Sequence, residues 1–125
     1  MSKNYHGFKD LFVYQKAFKL SMDILQLTKS FPSEEKYSLT DQVRRSSRSV
    51  GANLAEAWAK RRYVKSFVAK LIDSQGESFE TTHWLDTAIA AKYMDQKKHN
   101  ELSELNLEVQ KMLESMINNP DKFCH

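Results

Sequence analysis

Residues 37–62, YSLTDQVRRSSRSVGANLAEAWAKRR, are the most informative segment of the sequence about the fold. At 100° per residue, as in an α-helix, one face is apolar: Leu39, Val43, Val50, Leu54 and Ala57. A polar stripe runs beside it at spacings of three and four: Gln42, Arg45, Ser49, Asn53 and Glu56. The third side carries alanines, which permit close helix approach, and arginines: Ala52, Ala55, Ala59, Arg44 and Arg48. A helix with three specified sides is therefore predicted.

The regular spacing of the polar stripe indicates a structural or interface role, because buried polar networks specify how helices pack. We expect the stripe, together with Arg44 and with Glu80 from a later helix, to hold helices or subunits together. The alternative is a solvated polar face of good helix formers, which explains each residue singly but not the spacing. A ligand-binding role is a third explanation.

Composition favours a helical protein of one domain spanning residues 1–125. Three glycines and two prolines are few, and 41% of the residues are hydrophobic, so long helices are more economical than a turn-rich β fold. The single cysteine, Cys124, excludes a disulfide framework. The N-terminus resembles no signal peptide, and no apolar run is long enough to span a membrane. We therefore expect a cytoplasmic protein without membrane association.

Charge is concentrated in residues 42–70. This segment holds eight Lys or Arg residues against Glu56 alone, a net charge of +7; since the chain totals +3, the remainder carries −4. Such asymmetry predicts an anionic partner, and nucleic acid is the first candidate. The competing explanation is that Arg44 and Arg45 pair with carboxylates of other helices.

The first helix is predicted between an N-terminal arm, residues 1–9, and Phe31-Pro32. Asp10 is placed to cap it. Its core stripe follows helical spacing: Val13, Ala17, Leu20, Ile24 and Leu27. A second apolar flank lies beside that stripe: Leu11, Phe18, Met22 and Leu25. Since a bundle core needs only one stripe, the surplus indicates a subunit interface, with deep burial of the helix as the alternative.

The second helix is expected to begin near Leu39, where Ser38 and Asp41 resemble a capping box, and to end at 60–63, where like charges crowd. The third helix shows one long apolar stripe: Val64, Phe67, Val68, Leu71, Ile72, Gln75, Phe79, Thr82, Leu85 and Ile89. Gly76 lies within it and is expected to mark close packing, because glycine costs about 1 kcal/mol in a helix.

The fourth helix is predicted to begin at the capping residue Asp95 and to stop at Asn118-Asn119-Pro120, before a C-terminal tail, residues 119–125. Its apolar face is regular: Leu102, Leu105, Val109, Met112, Leu113, Met116 and Ile117. Four helices with short connections favour an all-α, antiparallel, up-down-up-down four-helix bundle.

A combination of residues in the first half of the chain is similar to a known family: Phe31-Pro32, Glu35, Tyr37, Leu39, Gln42, Arg44-Arg45, Ser49, Asn53, Ala55 and Glu56. Over residues 8–118 the chain resembles the four-helix-bundle proteins encoded by intervening sequences inside bacterial 23S ribosomal RNA genes. The resemblance implies a closed bundle that assembles as a homopentamer. Relatives of that family include basic pentameric accessory proteins of diversity-generating retroelements, which bind nucleic acid and a reverse transcriptase.

Catalytic and metal-binding patterns are weak. Glu77-x-x-Glu80-x-x-His83 contains the Glu-x-x-His half of a di-iron site, but such sites need a second copy and two further glutamates, which the chain lacks. We therefore expect no metal, no cofactor and no enzymatic activity. Glu80 is instead predicted to pair with Arg44 or Arg45 across two helices. Trp58 and Trp84 are read as packing or interface anchors, with nucleic-acid contact by Trp58 left open.

Two functional hypotheses follow. In the first, an oligomer, which the resemblance makes a homopentamer, binds RNA or DNA through five basic residues: Arg48, Lys60, Arg61, Arg62 and Lys65. In the second, the protein is a scaffold or adaptor for another protein, and polar side chains hold helices or subunits together: Gln42, Arg44, Arg45, Ser49, Asn53, Glu56 and Glu80.

Overall fold

The computed structural model describes residues 5–125 as a bundle of four α-helices with short helical turns and no strand in that range. The helices are α1 (Phe12–Thr28), α2 (Asp41–Ala59), α3 (Val64–Ala90) and α4 (Gln96–Asn118). The main contacts join α1 to α2, α2 to α3, α3 to α4 and α4 to α1, so the helices enclose one core. Within residues 5–125, no helix combines the length and apolarity needed to cross a bilayer.

The core is built from the stripes that the first two helices show in sequence. All five residues on the apolar face of the opening stretch are buried, as predicted: Leu39, Val43, Val50, Leu54 and Ala57. Val13, Ala17, Leu20 and Ile24 of α1 are buried against them. Each fully buried leucine or valine contributes about 1.5–3 kcal/mol, so these two helices supply much of the apolar stabilisation.

Two predicted helix caps are wrong, although both helices begin within two residues of the expected positions. The Asp10 carboxylate accepts a hydrogen bond from the backbone N–H of His6 at 2.8 Å, within a turn that precedes α1, and no side chain caps α1. The Ser38–Asp41 capping box is also absent. A π-helical turn, Lys36–Thr40, leads directly into α2, and the Asp41 N–H donates to the Lys36 carbonyl. Because the preceding turn already provides a backbone acceptor, α2 needs no side-chain cap.

Two other predicted boundaries are confirmed. Asp95 caps α4, with its Oδ1 accepting from the Lys98 N–H at 2.8 Å. The break between the second and third helices falls at residues 60–63, where Lys60 leaves the helical conformation and Tyr63 is extended.

The buried face of α3 differs from the predicted stripe. It follows a four–three spacing through small polar residues: Phe67, Leu71, Ser74, Ser78, Thr81, Leu85 and Ala88. Ile72 and Phe79 are instead about half exposed, at 50% and 55%. The hydroxyls are tolerated inside because each has a partner; Ser74, for example, donates to the Val50 carbonyl at 2.8 Å.

Gly76 does not mark close packing within the chain. A Cβ added there would meet no atom of residues 5–125 within 4 Å, so no contact in that range requires glycine at the position.

Candidate nucleic-acid interface

The turn between α2 and α3 gathers four of the five predicted nucleic-acid residues. Lys60, Arg61 and Arg62 occupy the turn itself, and Lys65 lies in the first turn of α3. Lys60, Arg62 and Lys65 are exposed, whereas Arg61 is half-buried. We call these four residues the basic turn.

Arg61 is held in position by Trp58. Its guanidinium lies 3.6 Å from the centroid of the indole, and its Nε donates to the Trp58 carbonyl at 3.0 Å. A cation over an aromatic face is attracted by the ring quadrupole, so the side chain is ordered at the surface. The Tyr5 ring meets Trp58 edge-on at 5.9 Å. Trp58 is therefore covered from two directions and acts as a packing residue.

Tyr5, the first described residue, and the C-terminal tail pack near the basic turn. Phe123 stacks on Tyr5 with ring centroids 5.8 Å apart and lies 6.2 Å from the ring of Phe67 in α3. Residues 5–9 of the predicted arm and the tail 119–125 thus contact the bundle at this end, whereas residues 1–4 lie outside the described part of the chain. Sequence reasoning gave no role to Lys122, an exposed base in this tail, because nothing local connects it to the turn.

Arg48 does not join the basic turn. It is exposed on α2 twelve residues before Lys60, a separation of about 18 Å along a helix. It lines a shallow groove between α1 and α2 with Tyr14 and Phe18. Any ligand of the basic turn that also contacts Arg48 must extend along α2.

Arg45 of the polar stripe forms an ion-pair cluster with α3. Its guanidinium lies 3.3 Å from Glu77 and 2.5 Å from Glu80, so the predicted pairing of Glu80 is confirmed for Arg45. The Trp84 indole N–H also donates to Glu80 at 3.0 Å. The hydrogen bond from Trp84, followed by that from Arg45, lowers the pKa of Glu80, while the bonds to Glu77 and Glu80 raise the pKa of Arg45.

A second polar cluster joins the C-terminal half of α2 to α3. The Lys70 ammonium of α3 contacts Asn53 Oδ1 at 3.0 Å and Glu56 at 3.1 Å. Asn53 also donates to the Ser49 carbonyl at 2.8 Å.

The other residues of the predicted stripe have different surroundings. Arg44 donates to the Thr28 hydroxyl of α1 at 2.8 Å. Gln42 and Ser49 are half-buried, and their side chains form no hydrogen bond with the described residues. Most of the stripe and its partners thus joins α2 to its neighbouring helices within one chain.

The family model described as "23S rRNA-intervening sequence protein" matches residues 9–115. The chain belongs to this family. The match spans all of α1, α2 and α3 and most of α4, and it confirms the resemblance seen in the sequence.

A solved crystal structure has a fold similar to that of this chain. It is the crystal structure of a protein with unknown function from the S23 ribosomal protein family of Bacteroides thetaiotaomicron, with 29% sequence identity and a TM-score of 0.77. The alignment covers 86% of this chain and 96% of that chain. No curated protein matches the chain.

The Glu77–Glu80–His83 segment of this family member is arranged as part of the helix packing. Both glutamates bind Arg45, and the His83 ring contacts Trp84 at 4.8 Å. Across residues 5–125, no group of three or more His, Cys, Asp or Glu side chains could hold a metal ion.

The sequence analysis did not identify one exposed aromatic residue that lies among the residues of the basic turn. Tyr63 is 67% exposed and stands between Arg62 and Lys65. The signal that could have found it is an aromatic residue interleaved with basic ones, a pattern typical of single-stranded nucleic-acid sites.

Proposed function

We propose that this chain is a non-enzymatic, oligomeric helical-bundle protein of the cytoplasm that binds nucleic acid, and RNA in particular, through the basic turn. The observation that carries the proposal is how the cations of residues 42–70 are used. Arg44, Arg45 and Lys70 are engaged by partners on α1, α2 and α3. Lys60, Arg62 and Lys65, in contrast, form no ion pair with any residue from 5 to 125 and are exposed. Such unpaired cations are suited to phosphate contacts.

Salt dependence tests the proposal. We would titrate labelled structured RNA with the purified protein and follow fluorescence anisotropy. If all four cations of the basic turn neutralise phosphates, affinity should fall on the order of 100-fold between about 50 and 200 mM salt. Absence of binding even at low salt would reject the RNA proposal.

A charge reversal locates the site. The double variant Arg61→Glu, Arg62→Glu should weaken RNA binding at least about tenfold at low salt, since two attractive charges become repulsive. The matched control is Lys97→Glu, Lys98→Glu, which changes the net charge equally. These residues lie at the start of α4, about 30 Å along that helix from its C-terminal end, and it is the tail after that end that packs near the basic turn. Equal losses in both variants would show a nonspecific effect of net charge and contradict the assignment.

The proposed assembly uses the exposed apolar side chains of α1 and α3. Four large apolar side chains are each between 43% and 55% exposed: Phe18, Met22, Ile72 and Phe79. Large exposed apolar surfaces are uncommon on monomeric proteins and mark interaction sites. We propose that a second copy of the chain covers these four side chains. Five subunits is the number that the family resemblance implies. Light scattering coupled to size-exclusion chromatography measures that number directly.

We also propose that the helices alternate in direction, up-down-up-down. Connections of four and five residues, 60–63 and 91–95, support this, since so short a link returns the next helix alongside the last. So do the contacts of Tyr5, which precedes α1, with Trp58, near the end of α2, and with Phe123 in the C-terminal tail.

The second candidate function is a protein–protein scaffold without a nucleic-acid ligand. The same exposed apolar side chains favour it, because a partner protein could cover part of that surface. The RNA titration separates the two: a scaffold would bind no RNA at low salt, and the charge reversal would leave its assembly unchanged.

A further inference from the structure

Tyr63 combines a fixed backbone with a free ring. Its N–H donates to the Lys60 carbonyl at 3.0 Å, and its own carbonyl accepts from the Phe67 N–H at 2.9 Å. These bonds hold the residue between α2 and α3. The side chain nevertheless remains 67% exposed, and its ring takes part in none of the aromatic contacts found within residues 5–125.

The other aromatic residues at this end of the bundle are used for packing. Trp58 is covered by Arg61 and Tyr5, and Phe123 lies between Tyr5 and Phe67. An exposed ring beside such a cluster gains little from burial, so the stability of the bundle does not explain a tyrosine there.

Charge surrounds that ring on both sides in the sequence. Lys60, Arg61 and Arg62 precede Tyr63, and Lys65 follows it by two residues. Arg61 is already ordered by the Trp58 ring, so contact with a phosphate would immobilise less of its side chain than it would for a free arginine. An aromatic face among cations is the arrangement that proteins use to hold a single nucleic-acid strand, stacking a base while the cations follow the backbone.

We propose that Tyr63 is a stacking platform for an unpaired base, so that the basic turn binds single-stranded segments of RNA in preference to duplex. This inference rests on the proposed function, since it specifies the ligand of the same site. In a duplex each base is already stacked between its neighbours and paired, and a side chain reaches its face only after the base leaves the helix. A single strand presents that face directly.

The test compares two RNA probes on three variants. The probes are a labelled oligouridine of about 12 nucleotides, within known single-strand site sizes, and a blunt duplex with the same number of phosphates. The variants are Tyr63→Ala, Tyr63→Phe and, as matched control, Tyr37→Ala. Tyr37 is also exposed, at 75%, and its ring has Lys36 beside it at 5.3 Å, but it precedes α2 rather than following it.

The wild-type protein should bind oligouridine more tightly than duplex. Tyr63→Ala should weaken oligouridine binding about tenfold, the loss of one stacked base, and leave duplex binding within about twofold. Tyr63→Phe should retain binding, because phenylalanine keeps the ring, and Tyr37→Ala should bind like the wild type. Since the Tyr63 side chain is exposed, all variants should melt at the wild-type temperature.

Failure of this inference is distinguishable from failure of the proposed function. Equal affinity of the wild type for the two probes, or equal loss of both in Tyr63→Ala, would overturn the stacking role while leaving RNA binding by the basic turn in place. Loss in Tyr63→Phe would also overturn it, because the ring would then not be what matters. No binding of either probe by the wild type would reject the proposed function itself.

Discussion

Replacing Asn106 by leucine tests the buried polar contact between α3 and α4. Asn106 is 1% exposed, and its side chain forms three hydrogen bonds to α3. Its Oδ1 accepts from the Ser78 hydroxyl at 2.6 Å, and its Nδ2 donates to the Ser78 carbonyl at 3.0 Å and to the Thr82 hydroxyl at 2.9 Å. Leucine has a similar length and branching but can make none of these bonds.

The expected loss follows from those contacts. Three hydrogen bonds at about 1 kcal/mol each amount to ~3 kcal/mol, and the greater apolarity of leucine returns ~1 kcal/mol. We therefore expect the free energy of unfolding to fall by about 2 kcal/mol. For a chain of this size that corresponds to a melting temperature lower by roughly 8 °C. The Ser78 hydroxyl contributes to the loss because it is left buried without its partner.

The assay is urea and thermal unfolding followed by circular dichroism, at one fixed protomer concentration because assembly shifts apparent stability. Asn100→Leu is the matched control: the same change on the same helix, at an exposed residue bonded to Gln96. It should shift stability by less than about 0.5 kcal/mol. If Asn106→Leu is as stable as Asn100→Leu, the reasoning that this buried contact stabilises the bundle is refuted.

Of three further predictions, two concern contacts between helices and the third concerns the proposed subunit interface. Trp84 and Arg45 lower the pKa of Glu80, so Glu80 stabilises the fold above its ordinary pKa of 4.5 and loses this contribution as pH falls through its lowered folded value; Glu80→Gln should flatten the acid side of a plot of urea midpoint against pH, and an unchanged slope would contradict this. Arg45→Ala should lower the free energy of unfolding by about 1 kcal/mol, a small effect because the side chain is 49% exposed, and a fully stable, intact assembly would count against a structural role for Arg45. Phe79→Ser should dissociate the proposed oligomer, as light scattering would show, while circular dichroism remains helical; an unchanged mass would exclude Phe79 from the proposed subunit interface.

The structure confirms two predictions that depend only on residues close together in the sequence. On α2 the predicted apolar face recurs at helical spacing, and all of its residues are buried: Val43, Val50, Leu54 and Ala57. Asp95 caps α4 because a short polar side chain before a helix meets its free N–H groups within the same few residues. These features depend on neighbours in the sequence, so they were predictable.

The buried face of α3 was not predictable in this way. Ser74, Ser78 and Thr81 carry polar hydroxyls, and their burial is possible because distant residues form hydrogen bonds with them, Asn106 among them. Ile72 and Phe79 are apolar yet exposed in the single chain. Hydropathy therefore predicted only part of the buried face of α3, with Phe67, Leu71 and Leu85 placed correctly.

The candidate site was also only partly predictable from the sequence. Lys60, Arg61 and Arg62 are adjacent in the chain, so their charge was visible in the sequence, but Arg48 was grouped with them although about 18 Å of helix separates it from Lys60. Arg45 forms ion pairs with α3, whereas Lys60, Arg62 and Lys65 form none with residues 5–125, because the other helices bring carboxylates near Arg45 and not near the turn.

The amino-acid sequence was sufficient to predict the family, the four helices, the core face of α2 and the concentration of positive charge between residues 42 and 70. Each of these depends on residue type and on spacing along the chain. The packing of the helices was needed to learn which polar residues are buried, which cations are neutralised and which aromatic ring remains in solvent beside the basic turn. The physical reason is that burial and pairing depend on groups brought together from distant parts of the chain, and a pattern along one helix does not contain their positions.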